Sequence, residues 1–410
     1  MKKPVICFIA ILSSGMLLLS SCSENNSIIL DIPEKPTNSY LVEAQQAGTT
    51  SASILALALS VGGYQEYAAL LNSDVEALKV TYNTEYKGDK LEASGVFLVP
   101  DNYNPDYPTI IYMHGTITET SAPSLNVPGL RTADIVLGMA LASAFNCAVL
   151  MPDYIGYGVS ASVPHPYIHA PSLAQASLDL IRAFKEYTAD TENQLSFNNT
   201  IFITGYSEGG YAAVALQKKI QETPTDLRVE KVVAGSGPYD NVAMAKECLK
   251  QTTDLRTKFV SSYLWTFGMY KNDYGYSKNY DAIFSDADNA VLQEKGYDLA
   301  YFHTEELEIN TNPALLFRQE FIDGVLDETD TEFLHILAEN SLTNFHATDS
   351  LLLVYGTADD WVLPENSINT YNAMNAECCK VMSYPFPDGD HETTLPYFVD
   401  ILLSRLQMIE

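Results

Sequence analysis

The segment Gly-Tyr-Ser-Glu-Gly-Gly at residues 205–210 constrains the fold of this chain more than any other feature. It follows an apolar run at 201–203 and precedes a helix-like stretch at 211–221, so it predicts a strand, a sharp turn and a helix. A serine at the apex of such a turn takes a strained backbone conformation, and its close neighbours must lack a Cβ atom. Gly205 and Gly209 meet that need, and Gly210 lets the helix pack against the strand.

Apolar runs alternate with helix-like stretches along much of the chain. Strands in a parallel sheet are continuously apolar, because helices cover both faces of the sheet. The alternation therefore predicts an α/β fold with a mostly parallel, doubly wound sheet. The runs lie at 109–113, 147–151, 201–204, 232–234 and 351–355, the helix-like stretches at 130–145, 172–187, 208–221 and 364–375, and a hairpin-like pair at 78–86 and 91–99.

A long interval between about residues 240 and 348 interrupts this alternation and is too long for one βα connection. We expect a helical cap over residues 241–348, inserted between two parts of the α/β core at 51–240 and 349–410. Aromatic residues in the cap either form its own core or line a pocket over Ser207, and the two arrangements are compatible. These aromatics are Tyr263, Trp265, Phe267, Tyr270, Tyr274, Tyr276, Tyr280 and Phe284.

The N-terminus has the pattern of an export signal. Two lysines precede a mostly apolar stretch at 5–19, which is too short and wrongly flanked to span a membrane. It ends in Leu-Ser-Ser-Cys, which resembles the lipobox of bacterial lipoprotein signals. The resemblance implies a signal peptide at 1–21, a lipid on Cys22 and a tether at 22–50. The protein would then be exported and membrane-anchored, in the periplasm or at the cell surface. The alternative is an ordinary cleaved secretory signal with a chance cysteine.

Charge and cysteine content exclude some classes of partner. The formal net charge of −29 disfavours nucleic acid, whose phosphates need a basic patch. Cys147 lies in a strand-like run and is expected to be a buried thiol. Cys248 could bridge to Cys378 or Cys379, a pairing that the sequence leaves open. No Cys/His spacing typical of zinc occurs, so we expect no metal site.

Two polar residues downstream of Ser207 lie at the ends of strand-like runs. Asp359 follows the run at 351–355, and His391 follows another at 381–384. The carboxyl ends of parallel strands meet at one edge of the sheet, where Ser207 is also expected. A serine hydroxyl is a weak nucleophile and needs a base, and the base needs a carboxylate that holds its tautomer. The order predicts Ser207 as nucleophile, His391 as general base and Asp359 as the acid.

This order of serine, acid and histidine makes the chain resemble the α/β-hydrolase superfamily over about residues 75–240 and 346–410. The segment around Ser207 is similar to the family's GxSxG motif. Gly-Thr-Ala-Asp-Asp-Trp-Val-Leu-Pro is similar to its acid loop, which favours Asp359 over the alternative, Asp360. Gly-Asp-His at 389–391 is similar to its histidine loop.

The resemblance also implies an oxyanion hole, which needs two backbone N–H groups. One is expected from Glu208, whose side chain should point away from the site. The other is expected from Thr116, because His-Gly-Thr at 114–116 is similar to the family's HG-x pattern. The predicted substrate-binding residues are His114, Tyr206, Trp265 and His169. His114 is alternatively a structural residue beneath the hole, and the loop containing His165 and His169 is either pocket wall or plain structure.

Met-Pro-Asp-Tyr-Ile-Gly-Tyr-Gly at 151–158 looks more narrowly like the secretory lipase and bacterial lipase-like esterase branch. The expected function is therefore hydrolysis of a small-molecule carboxylic ester through an acyl-enzyme intermediate, without a metal or organic cofactor. One alternative is an aminopeptidase-like serine peptidase of the same superfamily. A second is a non-catalytic, ligand-binding surface lipoprotein.

Overall fold

Nine strands form one sheet in the computed structural model, which describes residues 39–117, 119–297, 308–343, 345–375 and 380–409. The described residues belong to one compact unit. The strand order is β1-β2-β3-β5-β4-β6-β7-β8-β9. The strands are β1 Leu41–Thr50, β2 Val75–Tyr86, β3 Asp89–Pro100, β4 Thr109–Met113, β5 Val149–Pro152, β6 Thr200–Tyr206, β7 Arg228–Gly235, β8 Leu351–Gly356 and β9 Val381–Phe386.

The six strands from β5 to β9 in this order pair in parallel, as the apolar runs predict. Their side chains enter two separate apolar cores, one on each face of the sheet. In β8, Leu351 and Leu353 belong to one core while Leu352 and Val354 belong to the other, and all four are fully buried. A strand that is covered on both faces needs apolar residues at every position. The predicted α/β fold with a mostly parallel sheet is confirmed.

The antiparallel edge of the sheet corrects the predicted tether. The prediction across 22–50 is wrong for residues 41–50, which form β1 and pair with β2 along its length. This segment is an edge strand with many polar and exposed side chains, so it lacks an apolar pattern. The signal peptide, Cys22 and residues 23–38 lie outside the described residues.

Helices cover both faces of the sheet. Helix α1 at Ala52–Val61 is followed by a separate 3₁₀ helix at Gln65–Leu70. Within the described residues, no helix is both long and apolar enough to cross a membrane. The α-helices are α1 Ala52–Val61, α2 Pro123–Asn126, α3 Ala133–Phe145, α4 Ala170–Ala189, α5 Glu208–Glu222, α6 Asn241–Leu249, α7 Thr257–Tyr274, α8 Asp286–Glu294, α9 Pro313–Leu316, α10 Gln319–Leu326, α11 Thr331–Glu339, α12 Glu365–Asn375 and α13 Thr394–Leu406. Other 3₁₀ helices span Glu119–Ser121, Gly158–Ser160, Thr191–Asn193 and Tyr280–Ala282.

The interval between β7 and β8 is helical where it is described, and we call this helical insertion the cap. Its core is aromatic and is centred on Phe267 of α7. The Phe267 ring centroid lies 5.6–6.4 Å from those of Tyr276, Tyr280, Phe284, Phe321 and Phe333, each in an edge-on arrangement. Edge-on pairs at this spacing are favourable for aromatic rings. Part of the aromatic patch therefore stabilises the cap itself.

Candidate active site

Ser207 lies at a sharp turn between β6 and α5, with φ 60° and ψ −124°. This is strained backbone for a residue with a side chain. The turn is held by hydrogen bonds from the Ser207 N–H to the Gly235 carbonyl (2.8 Å) and from the Tyr211 N–H to the Ser207 carbonyl (3.1 Å). A Cβ atom at Gly209 would lie 2.0 Å from the carbonyl oxygen of Met113, so glycine is required there. The close approach allows α5 to begin directly at the sheet edge.

A continuous chain of hydrogen bonds connects Ser207, His391 and Asp359. Nε2 of His391 lies 2.9 Å from Oγ of Ser207, and Nδ1 lies 2.7 Å from Oδ2 of Asp359. Asp359 is 2% exposed and His391 is 6% exposed. Both follow the carboxyl ends of strands, β8 and β9, at the same sheet edge as the end of β6. The structure thus brings together three residues that are up to 184 positions apart in the chain.

The loop after β8 distinguishes Asp359 from its neighbour. Oδ1 of Asp359 accepts hydrogen bonds from the N–H groups of Trp361 (3.0 Å) and Val362 (2.9 Å). Asp360 has a half-exposed side chain, 3.7 Å from the guanidinium of Arg256. Asp359 is therefore the carboxylate with a fixed orientation toward His391.

The side chain of Tyr206 supports the loop that contains His391. Its hydroxyl donates to the carbonyl oxygen of His391 (2.7 Å) and lies 3.1 Å from Oγ of Ser236. Burial of the ring raises the pKa of Tyr206. The predicted contact with substrate is wrong for Tyr206, because its only polar atom on the side chain is committed inside the protein. Its position instead fixes the main chain at His391.

The loop after β4 lies against the serine turn. A Cβ atom at Gly115 would be 3.3 Å from the carbonyl oxygen of Tyr206 and 3.9 Å from Cβ of Ser207. Gly115, the residue before Thr116, therefore lies directly against the turn. Oγ1 of Thr116 lies 3.0 Å from the hydroxyl of Tyr167.

His114 is a structural residue beneath this loop, which corrects its prediction as substrate-binding. Its ring is fully buried, with Nδ1 2.7 Å from the Gly115 carbonyl and Nε2 3.2 Å from the Asp153 carbonyl. The Asp153 carboxylate faces elsewhere and accepts from Oγ of Ser94 (2.6 Å) and the N–H of Ser124 (2.8 Å). Burial raises the pKa of Asp153, and these donors oppose the increase. Both ring nitrogens of His114 thus contact main-chain oxygens, and neither contacts Ser207.

The structure also corrects the predicted role of His169 as a substrate-binding residue. Its ring caps the N-terminus of α4, with Nδ1 accepting from the N–H of Ser172 (3.3 Å) and lying 2.9 Å from Oγ of that residue. Burial lowers the pKa of His169 to about 4. A buried histidine that must accept a hydrogen bond at Nδ1 is held neutral. The residue therefore stabilises the helix start.

An apolar cavity of about 100 Å³ lies where the cap meets the core. On the core side it begins at Tyr167, which contacts Thr116, and at Trp361, whose ring centroid is 5.0 Å from that of His391. Trp265, predicted to bind substrate, lies behind Tyr167 and is not among the lining residues. The lining comprises Tyr167, Ile168, Pro238, Asn241, Met244, Ala245, Cys248, Leu249, Ser262, Tyr263, Thr266, Phe267, Tyr270, Phe317, Phe321, Phe333, Leu337, Trp361 and Val362.

Solved structures resemble the chain in fold, although no protein-family model and no curated protein matches it. A hydrolase candidate from Legionella pneumophila is 23% identical, with a TM-score of 0.78, covering 90% of this chain and 98% of its own. The rice cell wall degrading esterase LipA of Xanthomonas oryzae is 21% identical, with a TM-score of 0.75 and coverages of 90% and 98%. Lipase A of Candida antarctica in its closed state is 14% identical, with a TM-score of 0.64 and coverages of 90% and 82%. The chain has the α/β-hydrolase fold.

The α/β-hydrolase fold here contains a buried pair that the sequence did not predict. Oε1 of Glu208 lies 2.7 Å from Nε2 of His165, and both side chains are almost completely buried. Glu208 is the first residue of α5, directly after Ser207. The sequence offers the loop containing His165 as pocket wall or plain structure, but nothing in the pattern shows that His165 pairs with a residue 43 positions away.

The described residues also allow the expectations for cysteines and metal ligands to be compared with the structure. Among the described residues, Cys147 and Cys248 are free thiols, and Cys147 is buried, as expected. Residues 376–379, with the two cysteines suggested as bridging partners of Cys248, lie outside the described residues. Across the part of the chain that the structure describes, no group of three or more His, Cys, Asp or Glu side chains could hold a metal ion.

Proposed function

We propose that this chain is a serine hydrolase that cleaves carboxylic esters through an acyl-enzyme intermediate. The observation that carries the proposal is the chain of hydrogen bonds from Ser207 through His391 to Asp359, at a strained turn on the edge of the sheet. A nucleophile, a base and an orienting acid are the groups that acyl transfer needs. The fold likeness to an esterase and a lipase supports ester hydrolysis in general terms.

In the proposed reaction, Oγ of Ser207 attacks the ester carbonyl while Nε2 of His391 takes its proton. Asp359 holds the His391 tautomer and stabilises the imidazolium. The N–H groups of Glu208 and Thr116 bind the oxyanion, and His391 returns the proton to the departing alkoxide. A water molecule, deprotonated by the same histidine, then attacks the acyl-enzyme and releases the carboxylic acid. Each proton removed from a nucleophile is thereby given to a leaving group.

The cavity between cap and core is the proposed site of the acyl or aryl group. Its lining is mainly aromatic and aliphatic, and it begins beside Trp361 and Tyr167, which neighbour His391 and Thr116 respectively. An apolar lining with few polar groups favours a hydrophobic chain or ring. The proposed substrate is therefore an ester with an apolar acyl or aryl group.

Labelling with a fluorophosphonate probe tests the reaction class. The wild-type protein should be labelled once, at Ser207, and S207A should not be labelled. Absence of label on the wild type would refute the proposal and favour a non-catalytic, ligand-binding protein. A panel of acyl esters of graded chain length, feruloyl esters, acetylated sugars and aminoacyl amides then separates esterase from peptidase. Turnover of the amides with none of the esters would favour the peptidase.

The variant A245F tests the location of the acyl group. Ala245 lines the cavity and lies on α6, away from the hydrogen-bonded residues at Ser207. A phenyl ring at this position fills the cavity, so kcat/KM for octanoyl esters should fall at least about tenfold more than for acetyl esters. A tenfold selectivity corresponds to about 1.4 kcal/mol, within the range for one or two methylene groups in an apolar pocket. Equal losses for both esters would place the acyl group elsewhere.

We also propose attachment to a membrane through a lipid on Cys22, supported by the lipobox-like sequence. In a bacterial expression host the full chain should incorporate radiolabelled palmitate and sediment with membranes. C22A should remain unlabelled. A soluble, unlabelled wild type would instead favour the cleaved secretory signal, and label in C22A would place the lipid on a residue other than Cys22.

A further inference from the structure

The side chain of Glu208 depends on His165 for its hydrogen bonding. Glu208 is 1% exposed, and its Oε1 lies 2.7 Å from Nε2 of His165. The other oxygen, Oε2, has no hydrogen-bond partner among the described residues. A buried carboxylate without compensation is costly, since it has left water and gained nothing in exchange. His165 is thus the polar contact that keeps this carboxyl group in place.

Hydrogen-bond geometry limits how many protons the pair holds. Nδ1 of His165 lies 2.7 Å from the carbonyl oxygen of Ile155, which can only accept, so Nδ1 carries a proton. Between Nε2 and the Glu208 carboxyl group there is then one proton, on one side or the other. In both cases the pair has no net charge. A carboxylate next to a developing oxyanion would oppose it, and the shared proton removes that opposition.

The same pair acts on the backbone of Glu208. The first N–H groups of a helix have no acceptor within the helix, so the N–H of Glu208 is available to a ligand at Ser207. The Glu208 main chain is held by the turn on one side and by α5 on the other, and the bond to His165 holds its side chain from a third direction. Oxyanion donors act only when they are held at the correct distance.

Aromatic contacts continue from His165 to the second proposed donor. The His165 ring lies edge-on to Trp265 of the cap, with centroids 5.5 Å apart. Trp265 stacks flat on Tyr167, at 4.3 Å with an interplanar angle of 3°. The hydroxyl of Tyr167 lies 3.0 Å from Oγ1 of Thr116. The residues that supply both oxyanion donors are therefore connected through one cluster, and one member of that cluster belongs to the cap.

We propose that Glu208 and His165 are positioning residues that hold the oxyanion hole, with His165 cancelling the charge of Glu208. The inference rests on the proposed function. Neither side chain touches substrate, so their effect falls on kcat and much less on KM. A misplaced or opposed oxyanion donor lowers kcat about 100-fold.

The test compares E208A, E208Q, H165F and the double variant H165F/E208Q, with kcat calculated per site labelled by fluorophosphonate. E208A and H165F should each lose about 100-fold in kcat, with KM within about threefold of the wild type. E208Q should lose less than about tenfold, because its amide can donate to Nε2 of His165. Adding E208Q to H165F should recover at least about tenfold, because the uncompensated charge is gone.

His169 offers a matched control, since it is a largely buried histidine in the same loop with no place in the site. H169N should retain the wild-type kcat. Because loss of a buried contact can prevent folding, the comparison of E208A with E208Q supplies a second measurement that does not alter His165.

Two outcomes would overturn the inference. The first is a kcat per labelled site within threefold of the wild type in H165F or in E208A. The second is a double variant no more active than H165F. Failure of the proposed function looks different, since the wild type itself would then show neither labelling at Ser207 nor turnover of any ester.

Discussion

Replacement of Asp359 by asparagine should remove the general base while preserving the shape of the site. Oδ1 of Asp359 accepts from the N–H groups of Trp361 and Val362, so the asparagine must keep its oxygen there. Its NH₂ group then takes the place of Oδ2 and faces Nδ1 of His391, which is 2.7 Å from that position. Nδ1 has to accept, and the ring proton moves to Nε2, where it faces Ser207. His391 can no longer take the serine proton.

The size of the expected loss in kcat depends on the free energy that D359N would need to avoid this tautomer. Turning the amide over would direct NH₂ at two backbone donors, and each lost hydrogen bond costs about 1–3 kcal/mol, or about 2–6 kcal/mol together. The inactive arrangement of the substituted side chain therefore predominates. A histidine in the wrong tautomer lowers kcat by roughly 10⁴-fold in a serine hydrolase. That factor corresponds to about 5.5 kcal/mol of transition-state stabilisation.

Steady-state hydrolysis of a short p-nitrophenyl ester measures this loss, with burst titration of active sites to correct for folding. D360N is the matched control, because Asp360 is the adjacent acid and is half-exposed. It should remain within about threefold of the wild type, as expected for a surface ion pair. Retention of more than a tenth of wild-type kcat in D359N would refute the tautomer argument. A loss in D360N equal to that in D359N would show that the acid is wrongly assigned.

Two further predictions concern stability. Burial lowers the pKa of His169 to about 4 from its ordinary 6.5, so between these values the unfolded chain binds the additional proton. The free energy of unfolding should fall as the pH is lowered through this window, by up to about 3 kcal/mol from this residue. H169N, which keeps a capping acceptor, should flatten that slope in urea titrations, and an unchanged slope would contradict it. G209A places Cβ 2.0 Å from the carbonyl oxygen of Met113 and should cost on the order of 3 kcal/mol. G62A is the control, because a Cβ atom at that position would lie 3.4 Å from its nearest neighbour. Equal urea midpoints for G209A and G62A would exclude the steric explanation.

The strands of the parallel half could be predicted because their environment leaves a local signature. The apolar run at 351–355 corresponds to β8, and the one at 109–113 to β4. β1 left no such signature. Glu43, Gln45 and Gln46 are polar, and as an edge strand the segment needs only backbone pairing with β2. Backbone hydrogen bonds place no requirement on side chains, so the polar sequence of this edge strand also fits a tether.

The role of a polar side chain depends on partners that lie far away in the chain, so its residue type alone is a poor guide to that role. Tyr206 and His114 lie next to the site in sequence and were predicted to contact substrate. Both side chains instead bond to main-chain oxygens inside the protein. The sequence leaves His165 open between pocket wall and plain structure, whereas in the fold it is the partner of Glu208. Whether a polar side chain faces a cavity or the interior is decided by packing.

The amino-acid sequence by itself determined the strand, turn and helix around Ser207, because the sterics of that turn involve residues within a few positions of one another. It also determined that Asp359 and His391 follow the ends of two strands, because each residue lies within a few positions of its own strand in the sequence. The tertiary structure alone decided that Glu208 points into the protein at His165, and that Trp265 connects this pair to Tyr167. Such contacts join segments from separate loops and the cap, and they exist only after the two apolar cores have packed against the sheet.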